Sequence, residues 1–361
     1  MRWQIQPRGH LPPPVRQLGV ERGGNLSSRT DADGTGTSIA TTSPRVVYLA
    51  GLGRSGSTLL ERLLGEMPGA CPAGEVVHLW LRGIRQGERC ACGQPLPCCP
   101  FWTQVGQAAF GGWHQVDVDR IIRLRARVDR SRFLPHLASA ALRRRLQPAL
   151  DEYVRYYQRL YAAIGQVSGA PVVIDSSKHA SLAFCLRSNP GLDLRVIHLV
   201  RDPRAVAYSW GKAVDRPEAA SGSQMPTYPP ASAALRWNLQ NSALQLLSQL
   251  GTPTLRVRYE DFTAAPAATL GRIAAFAGLP AGPEFSFLDT DDHGRWWADL
   301  GATHTAAGNP MRFTTGRIAI RHDDTWQTAM MAGSRRTVTA LTLPLLTRYG
   351  YLGGAGMSRV P

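Results

Sequence analysis

The residues best suited to chemistry in this chain form one short stretch, Gly51-Leu52-Gly53-Arg54-Ser55-Gly56-Ser57-Thr58. The apolar run Val46-Val47-Tyr48-Leu49-Ala50 precedes it and reads as a buried strand. Leu59, Leu60, Leu63 and Leu64 follow at the spacing of one helical face, which would pack on a sheet. A strand, a tight turn and a helix start, in that order, make an anion site. Glycines let the backbone turn sharply, so that successive amides and the helix N-terminus point at one anion. Gly51 and Gly56 keep the G-x-x-x-x-G spacing of nucleotide-binding loops, but Ser57 stands where those loops place a lysine. The positive charge sits inside the loop instead, at Arg54.

A second anion site lies in Val200-Arg201-Asp202-Pro203-Arg204-Ala205-Val206-Ala207-Tyr208-Ser209. Arg201 ends an apolar strand, and Pro203 suits the first turn of a helix. Ser209 stands two turns into that helix, so the two side chains can converge on one phosphate.

Gly53-Arg54-Ser55-Gly56-Ser57-Thr58 resembles the 5′-phosphosulfate loop of sulfotransferases that use 3′-phosphoadenosine 5′-phosphosulfate (PAPS). The Arg201 motif resembles their 3′-phosphate site, where an Arg and a Ser eight positions later bind the same cofactor. The resemblance implies PAPS as donor, with Arg54, Ser55, Gly56, Ser57 and Thr58 at one end and Arg201 and Ser209 at the other. Arg258-Tyr259-Glu260-Asp261-Phe262 resembles the R-Y-E-D-L stretch of the family, which places Tyr259 near the cofactor phosphates. Gly308-Asn309-Pro310-Met311-Arg312-Phe313, followed by Gly316-Arg317, resembles the C-terminal cofactor-closing segment of bacterial members and adds Arg312. The resemblance runs from about residue 45 to 350.

Sulfuryl transfer needs a base for the acceptor oxygen, in-line positioning of the sulfuryl group, and a donor to the leaving phosphate oxygen. Glu75 stands 21 residues after Arg54, the position and Gly-Glu context of the catalytic Glu in tyrosylprotein-type sulfotransferases. The resemblance implies Glu75 as the base. Many other members use a His, and His78 lies three residues on. In Asp175-Ser176-Ser177-Lys178, Lys178 ends a strand and offers a compact ammonium to the leaving group. It matches the strand-end Lys of the tyrosylprotein type. With Glu75, Lys178 and Arg54 in these roles, the chemistry requires no metal. His304 precedes the closing segment, within reach of cofactor or acceptor, though a structural His is the favoured reading.

The elements that must carry these residues alternate. Strand signals recur at 172–174, 196–200 and 254–259, separated by helical stretches, and helices are expected over 231–250, 266–278 and 334–348. That alternation predicts an α/β fold, a doubly wound parallel sheet flanked by helices. The resemblance makes it a P-loop NTPase-like sulfotransferase fold with a helical cap, spanning residues 45–350. The Arg-rich stretch 117–147 is expected as helix and cap, continuing through 148–167 with Tyr153, Tyr156, Tyr157 and Tyr161 in the core. Insertions at about 83–145 and 214–230 read as cap and lid. Residues 1–44 read as a disordered leader, since Pro12-Pro13-Pro14 opposes an amphipathic targeting helix, and 351–361 as a tail.

Residues 88–102 carry Cys90, Cys92, Cys98 and Cys99. Four thiols so close can bind zinc, but C-x-C and adjacent cysteines are not the usual C-x2-C pairs. The spacing favours a structural or redox-labile loop.

The chain carries 41 basic and 26 acidic residues, a formal charge of +15, and 43% hydrophobic residues. The core is therefore sizeable, and the charge suits a polyanionic ligand, nucleic acid or anionic surface. The lack of any apolar run of about 18 residues predicts no transmembrane helix. With no apolar signal core and few cysteines, a cytoplasmic setting is expected. Two competing functions remain. One is a nucleotide-dependent kinase with an altered loop, which Ser57 opposes. The other is an Arg-rich nucleic-acid-binding protein, for which no recognised motif exists. The expected partner is a small-molecule or glycan acceptor, with no nucleic acid and no membrane span.

Overall fold

A computed structural model describes residues 44–216, 224–280 and 285–352. Apart from Pro44, the leader expected at 1–44 lies outside the described residues. So do part of the 214–230 loop and most of the expected tail.

Five strands form one parallel sheet: β1 (Arg45–Ala50), β2 (Ala70–Gly74), β3 (Val172–Lys178), β4 (Leu194–Val200) and β5 (Thr254–Arg258), in the order β2-β3-β1-β4-β5. β1 is central because every residue from Val46 to Ala50 is apolar and buried. Its side chains alternate between two cores. Val46, Tyr48 and Ala50 join one, and Val47 and Leu49 join the other. Leu60, Leu63 and Leu64 of the loop helix Ser57–Gly65 cover the second face, as their spacing predicts. The helix Gln147–Ser168 covers the first with Tyr153, Tyr157 and Tyr161.

Helices Pro230–Gln249, Pro266–Ala277 and Ala332–Arg348 form where the sequence places them. The Arg-rich stretch is not one helix. It breaks into Val118–Val128, Leu134–Ala138 and Ala140–Arg143, with Asp129 and Ser139 at the interruptions. Two features go beyond the sequence reading. β2 reads Ala-Cys-Pro-Ala-Gly and is an edge strand. A three-stranded antiparallel sheet, β6 (Leu288–Thr290), β7 (Trp296–Leu300) and β8 (Gly316–Ala319), packs against the loop helix. Buried Arg62 ties the region of this small sheet to the loop helix by donating to the carbonyls of Gly301 (2.7 Å) and Arg312 (2.9 Å). Among the described residues, no helix is long and apolar enough to cross a membrane.

Candidate active site

The parallel sheet brings five candidate stretches to one edge. The glycine-rich loop follows β1, Glu75 follows β2, Lys178 ends β3, Arg201 follows β4 and Tyr259 follows β5. Carboxyl ends of parallel strands are where open α/β sheets bind ligands, because the chain leaves the sheet there and exposes its amides.

The loop is held on three sides. Trp210, at the end of helix Pro203–Trp210, donates its indole N–H to the Gly53 carbonyl at 3.0 Å. A Cβ at Gly53 would lie 2.8 Å from that indole, so only glycine fits. Gly56, at φ 87°, precedes the loop helix and packs under the Tyr259 ring, whose Cδ2 would stand 2.5 Å from an added Cβ. Ser55 Oγ donates to the Leu52 carbonyl at 2.7 Å and closes the turn. Ser57 and Thr58 open the helix, so its N-terminal amides face the space above the loop.

Arg201 locks onto this loop. It is buried and donates to the Arg54 carbonyl (3.0 Å) and to Asp323 (3.1 Å), with its guanidinium 4.4 Å over the Tyr259 ring. Arg201 Nε and Arg54 Nη2 are both buried without a hydrogen-bond partner. Two unpartnered guanidinium N–H groups in one buried cluster are what an anion would satisfy. Burial also lowers the Arg54 pKa from its ordinary value. Ser209 sits on the same helix as Trp210, half-buried.

Glu75 and Lys178 meet directly. The Lys178 ammonium donates to Glu75 Oε1 and to the Ser176 carbonyl (3.1 Å). Tyr48 pairs with Asp175 and Ala50 with Lys178, so β3 carries an extra residue against β1 at its end. Such a bulge re-aims the side chains that follow it. Among the described residues, Arg54 (φ 76°) and Lys178 (φ 71°) are the non-glycine residues at positive φ. That strain of about 1–3 kcal/mol each persists only where surrounding contacts enforce it. For Lys178 the contacts are on its carbonyl, which accepts from Gly51 N–H (3.2 Å) and Gln240 Nε2 (2.5 Å).

Burial would raise the Glu75 carboxyl, but the Lys178 ammonium outweighs it, with His78 and Arg82 adding to the effect. The net pKa is about 2. His78 Nε2 lies 3.5 Å from Glu75 Oε2, and burial pushes that imidazole down to about 3 despite the nearby carboxylate. The pair at neutral pH is therefore a charged Glu75 beside a neutral His78. Arg125, from helix Val118–Val128, donates to the Val77 carbonyl at 3.2 Å and brings the Arg-rich segment beside this pair.

Sequence reasoning missed Glu61. It lies in the loop helix, buried, and accepts from Gly74 N–H (2.6 Å) and Ser176 Oγ (2.7 Å). One carboxylate thus links the residue before Glu75 to the strand end that carries Lys178. Burial raises its pKa to about 7, against the pull of Ser176 and Lys178. The available signal was Leu59-Leu60-Glu61-Arg62-Leu63-Leu64, where two charged residues sit between leucines that must be buried. Gln240 left no comparable signal.

Arg312 is held from the other end of the chain. Its buried guanidinium donates to the carbonyls of Thr305 (2.9 Å) and Arg89 (2.8 Å), binding backbone segments together. The cysteine cluster differs from its sequence grouping. Cys90, Cys92 and Cys99 gather around His304, and Cys98 is exposed.

Residues 45–283 match the profile of the Sulfotransferase family. Over 182 residues the chain is 30% identical to Carbohydrate sulfotransferase 6 of Homo sapiens, covering 46% of this chain and 44% of that protein. The chain thus spans less than half the length of that relative. Similar solved structures include two sulfotransferase domains. The one from the Synechococcus PCC 7002 olefin synthase has 20% identity and TM-score 0.43, over 84% of this chain and 94% of that one. The one from the curacin biosynthetic pathway has 18% identity and TM-score 0.44, over 83% and 98%. The family profile covers well over half of the sequence and includes the loop, Glu75, Lys178, Arg201 and Tyr259, and the chain belongs to the Sulfotransferase family.

Proposed function

We propose that this protein transfers a sulfuryl group from PAPS to an acceptor hydroxyl or amine, in line, with Glu75 as base. The observation that carries the reading is the meeting of Glu75 and Lys178 at the sheet edge where the Arg54 loop and Arg201 also converge. One side of this edge presents unpartnered guanidinium N–H groups and helix amides, suited to the donor's phosphates. The other presents a carboxylate, suited to an acceptor proton.

In this reading Arg54, Ser55, Gly56, Ser57 and Thr58 hold the 5′-phosphosulfate, while Arg201 and Ser209 hold the 3′-phosphate and Tyr259 supports both. Lys178 has two roles. It keeps Glu75 ionised before the donor binds, and it then turns to the bridging phosphate oxygen. Glu75 loses its partner at that moment, and burial raises its proton affinity when the acceptor proton must be taken. The acceptor oxygen bonds to sulfur as the bond from sulfur to the phosphate oxygen breaks. The proton goes to Glu75 and the charge of the leaving group to Lys178 and Arg54. These cations and the loop amides supply the charge that Mg²⁺ supplies in phosphoryl transfer. Arg312 acts beside this set, by holding the 305 and 89 segments.

Membership of the family weighs against the kinase reading. The human relative's name puts a carbohydrate hydroxyl first among acceptors to test, ahead of phenolic and lipid hydroxyls. A cytoplasmic setting accords with six free cysteines. The test is a mass-spectrometric screen of acceptors incubated with PAPS. A gain of one sulfuryl group supports the reading. Thermal stabilisation by ATP–Mg²⁺ or DNA, and none by adenosine 3′,5′-bisphosphate, sinks it.

A further inference from the structure

Cys90, Cys92 and Cys99 converge on the ring of His304, although more than 200 residues separate His304 from either thiol it faces. His304 Nδ1 lies 3.2 Å from Cys99 Sγ and 3.9 Å from Cys90 Sγ, and Cys92 Sγ lies 3.6 Å from Cys99 Sγ. All four ligand atoms lie within 4.8 Å of one another. Tetrahedral zinc with Zn–S near 2.3 Å requires ligand atoms about 3.3–3.8 Å apart. The separations of 3.2, 3.6 and 3.9 Å lie close to that range, so a small inward shift of the ligands closes a four-ligand shell, and the 3.6 Å between the Cys92 and Cys99 sulfurs is too long for a disulfide. We propose that these residues form a structural zinc site of Cys3His type, independent of the sulfuryl-transfer chemistry.

The surroundings orient the ligands as a metal site requires. The Trp102 indole donates to the His304 carbonyl at 2.6 Å, and the Phe101 ring stacks on the imidazole with centroids 5.3 Å apart. These contacts fix the ring with Nδ1 toward the sulfurs. Ala91 N–H donates to the Thr305 carbonyl at 3.1 Å, so the two ligand-bearing segments are already joined by backbone. Cys90 and Cys99 are buried, and Cys92 is partly exposed, which leaves an entry path. Sequence spacing pointed away from zinc because it counted only neighbours along the chain. The cluster omits Cys98 and takes its fourth ligand from the other end of the domain.

The site has a consequence for the fold. His304 lies just before Ala306 and Ala307, which pair with the end of β2. Ala306 N–H donates to the Ala73 carbonyl (2.9 Å), and Glu75 N–H donates to the Ala307 carbonyl (3.2 Å). Zinc would pin the 88–102 excursion to this strap and so hold the backbone of Glu75. Binding releases the thiol protons to solvent and stabilises the folded chain by mass action.

The test uses the full chain purified without chelator under phosphine reductant. Elemental analysis should give one zinc per chain. Cys99→Ser and His304→Ala should lower that content at least tenfold, while Cys98→Ser should keep it. A measurement on the wild type stands even where the variants fail to fold. Protein stripped of metal and titrated with Co²⁺ should give the intense visible bands of tetrahedral thiolate-bound cobalt, and Zn²⁺ should bleach them and raise the melting temperature. Wild type that carries no zinc and gains no stability from added Zn²⁺ overturns the proposal. So does a Cys92–Cys99 disulfide found by mass mapping in place of the metal. None of these readouts depends on sulfuryl transfer.

Discussion

Lys178 donates its ammonium to the Glu75 carboxylate across the ends of two neighbouring strands, β3 and β2. The pair has a measurable signature. Glu75 is held at about 2 by that ammonium against a burial effect of opposite sign. In Lys178→Met the burial effect remains and the opposing charge is gone, so the carboxyl rises. The acid limb of kcat/KM, which reports the free enzyme, should therefore move to higher pH in the variant. In the wild type it should lie below the ordinary carboxylate range. An unchanged acid limb would mean that Lys178 does not set the state of Glu75.

The 3′-phosphate assignment rests on Arg201, which is buried and reaches both the Arg54 carbonyl and Asp323. Arg201→Ala should weaken adenosine 3′,5′-bisphosphate by about 2–5 kcal/mol, the cost of losing a desolvated, charge-assisted partner. Calorimetric titration of the folded variant measures it. Wild-type affinity would refute the assignment.

At Gly56 the backbone sits at φ 87° beneath the Tyr259 ring. Gly56→Ala meets both a disfavoured conformation and a Cβ contact of 2.5 Å with an aromatic carbon. The variant should lose about 1–3 kcal/mol of stability. Denaturant unfolding checks this, and a neutral result would mean that the loop has another conformation.

These residues differ in how far they could be read without a structure. The loop, its helix and the Arg201 motif were legible because each is local, with strand, turn and helix contiguous in the chain. β2 was not. Ala-Cys-Pro-Ala-Gly has no β-branched residue, and its proline is tolerated because the strand lies at the sheet edge. β6 to β8 are only three to five residues long, too short for period-2 alternation to show. Arg312 matched a motif, but nothing local showed that its guanidinium would donate to the carbonyls of Thr305 and Arg89. His304 joined the cysteines only through the fold. Glu61 carried a visible oddity, a carboxylate among buried leucines, whose partners lie on two strands, one 13 and one 115 residues on.

Glu61 leaves a trace in stability. Burial lifts its folded pKa to about 7 from the ordinary 4.5, so the folded state holds a proton that the unfolded chain releases between those values. Stability from this group is full below pH 4.5 and falls as pH rises toward 7. The window is worth on the order of 3–4 kcal/mol, at about 1.4 kcal/mol per pH unit. Glu61→Gln keeps the shape and removes the proton. The difference in unfolding free energy between wild type and variant should therefore shift in favour of the variant from pH 5 to pH 8. A constant difference would show that Glu61 is ionised throughout.

The base is the central assignment of the proposed reaction, and two residues compete for it at 3.5 Å from each other. The charges distinguish them. Glu75 is ionised at neutral pH, while burial keeps His78 neutral, with a pKa near 3. In the resting site neither group is a strong base, and what separates them is the cation beside the carboxylate, because burial holds the imidazole neutral whether or not Lys178 moves. A carboxylate whose cationic partner departs for the donor becomes a stronger base. Glu75→Gln should thus lower kcat by about 10²–10⁴-fold. Affinity for adenosine 3′,5′-bisphosphate should hardly change, because Glu75 stands on the acceptor side. His78→Ala should cost far less, since His78 contributes to the environment of Glu75 rather than taking the proton. Near-normal turnover in Glu75→Gln, with turnover abolished in His78→Ala, would transfer the role to His78 and leave the Glu75–Lys178 pair as a structural bridge between β2 and β3.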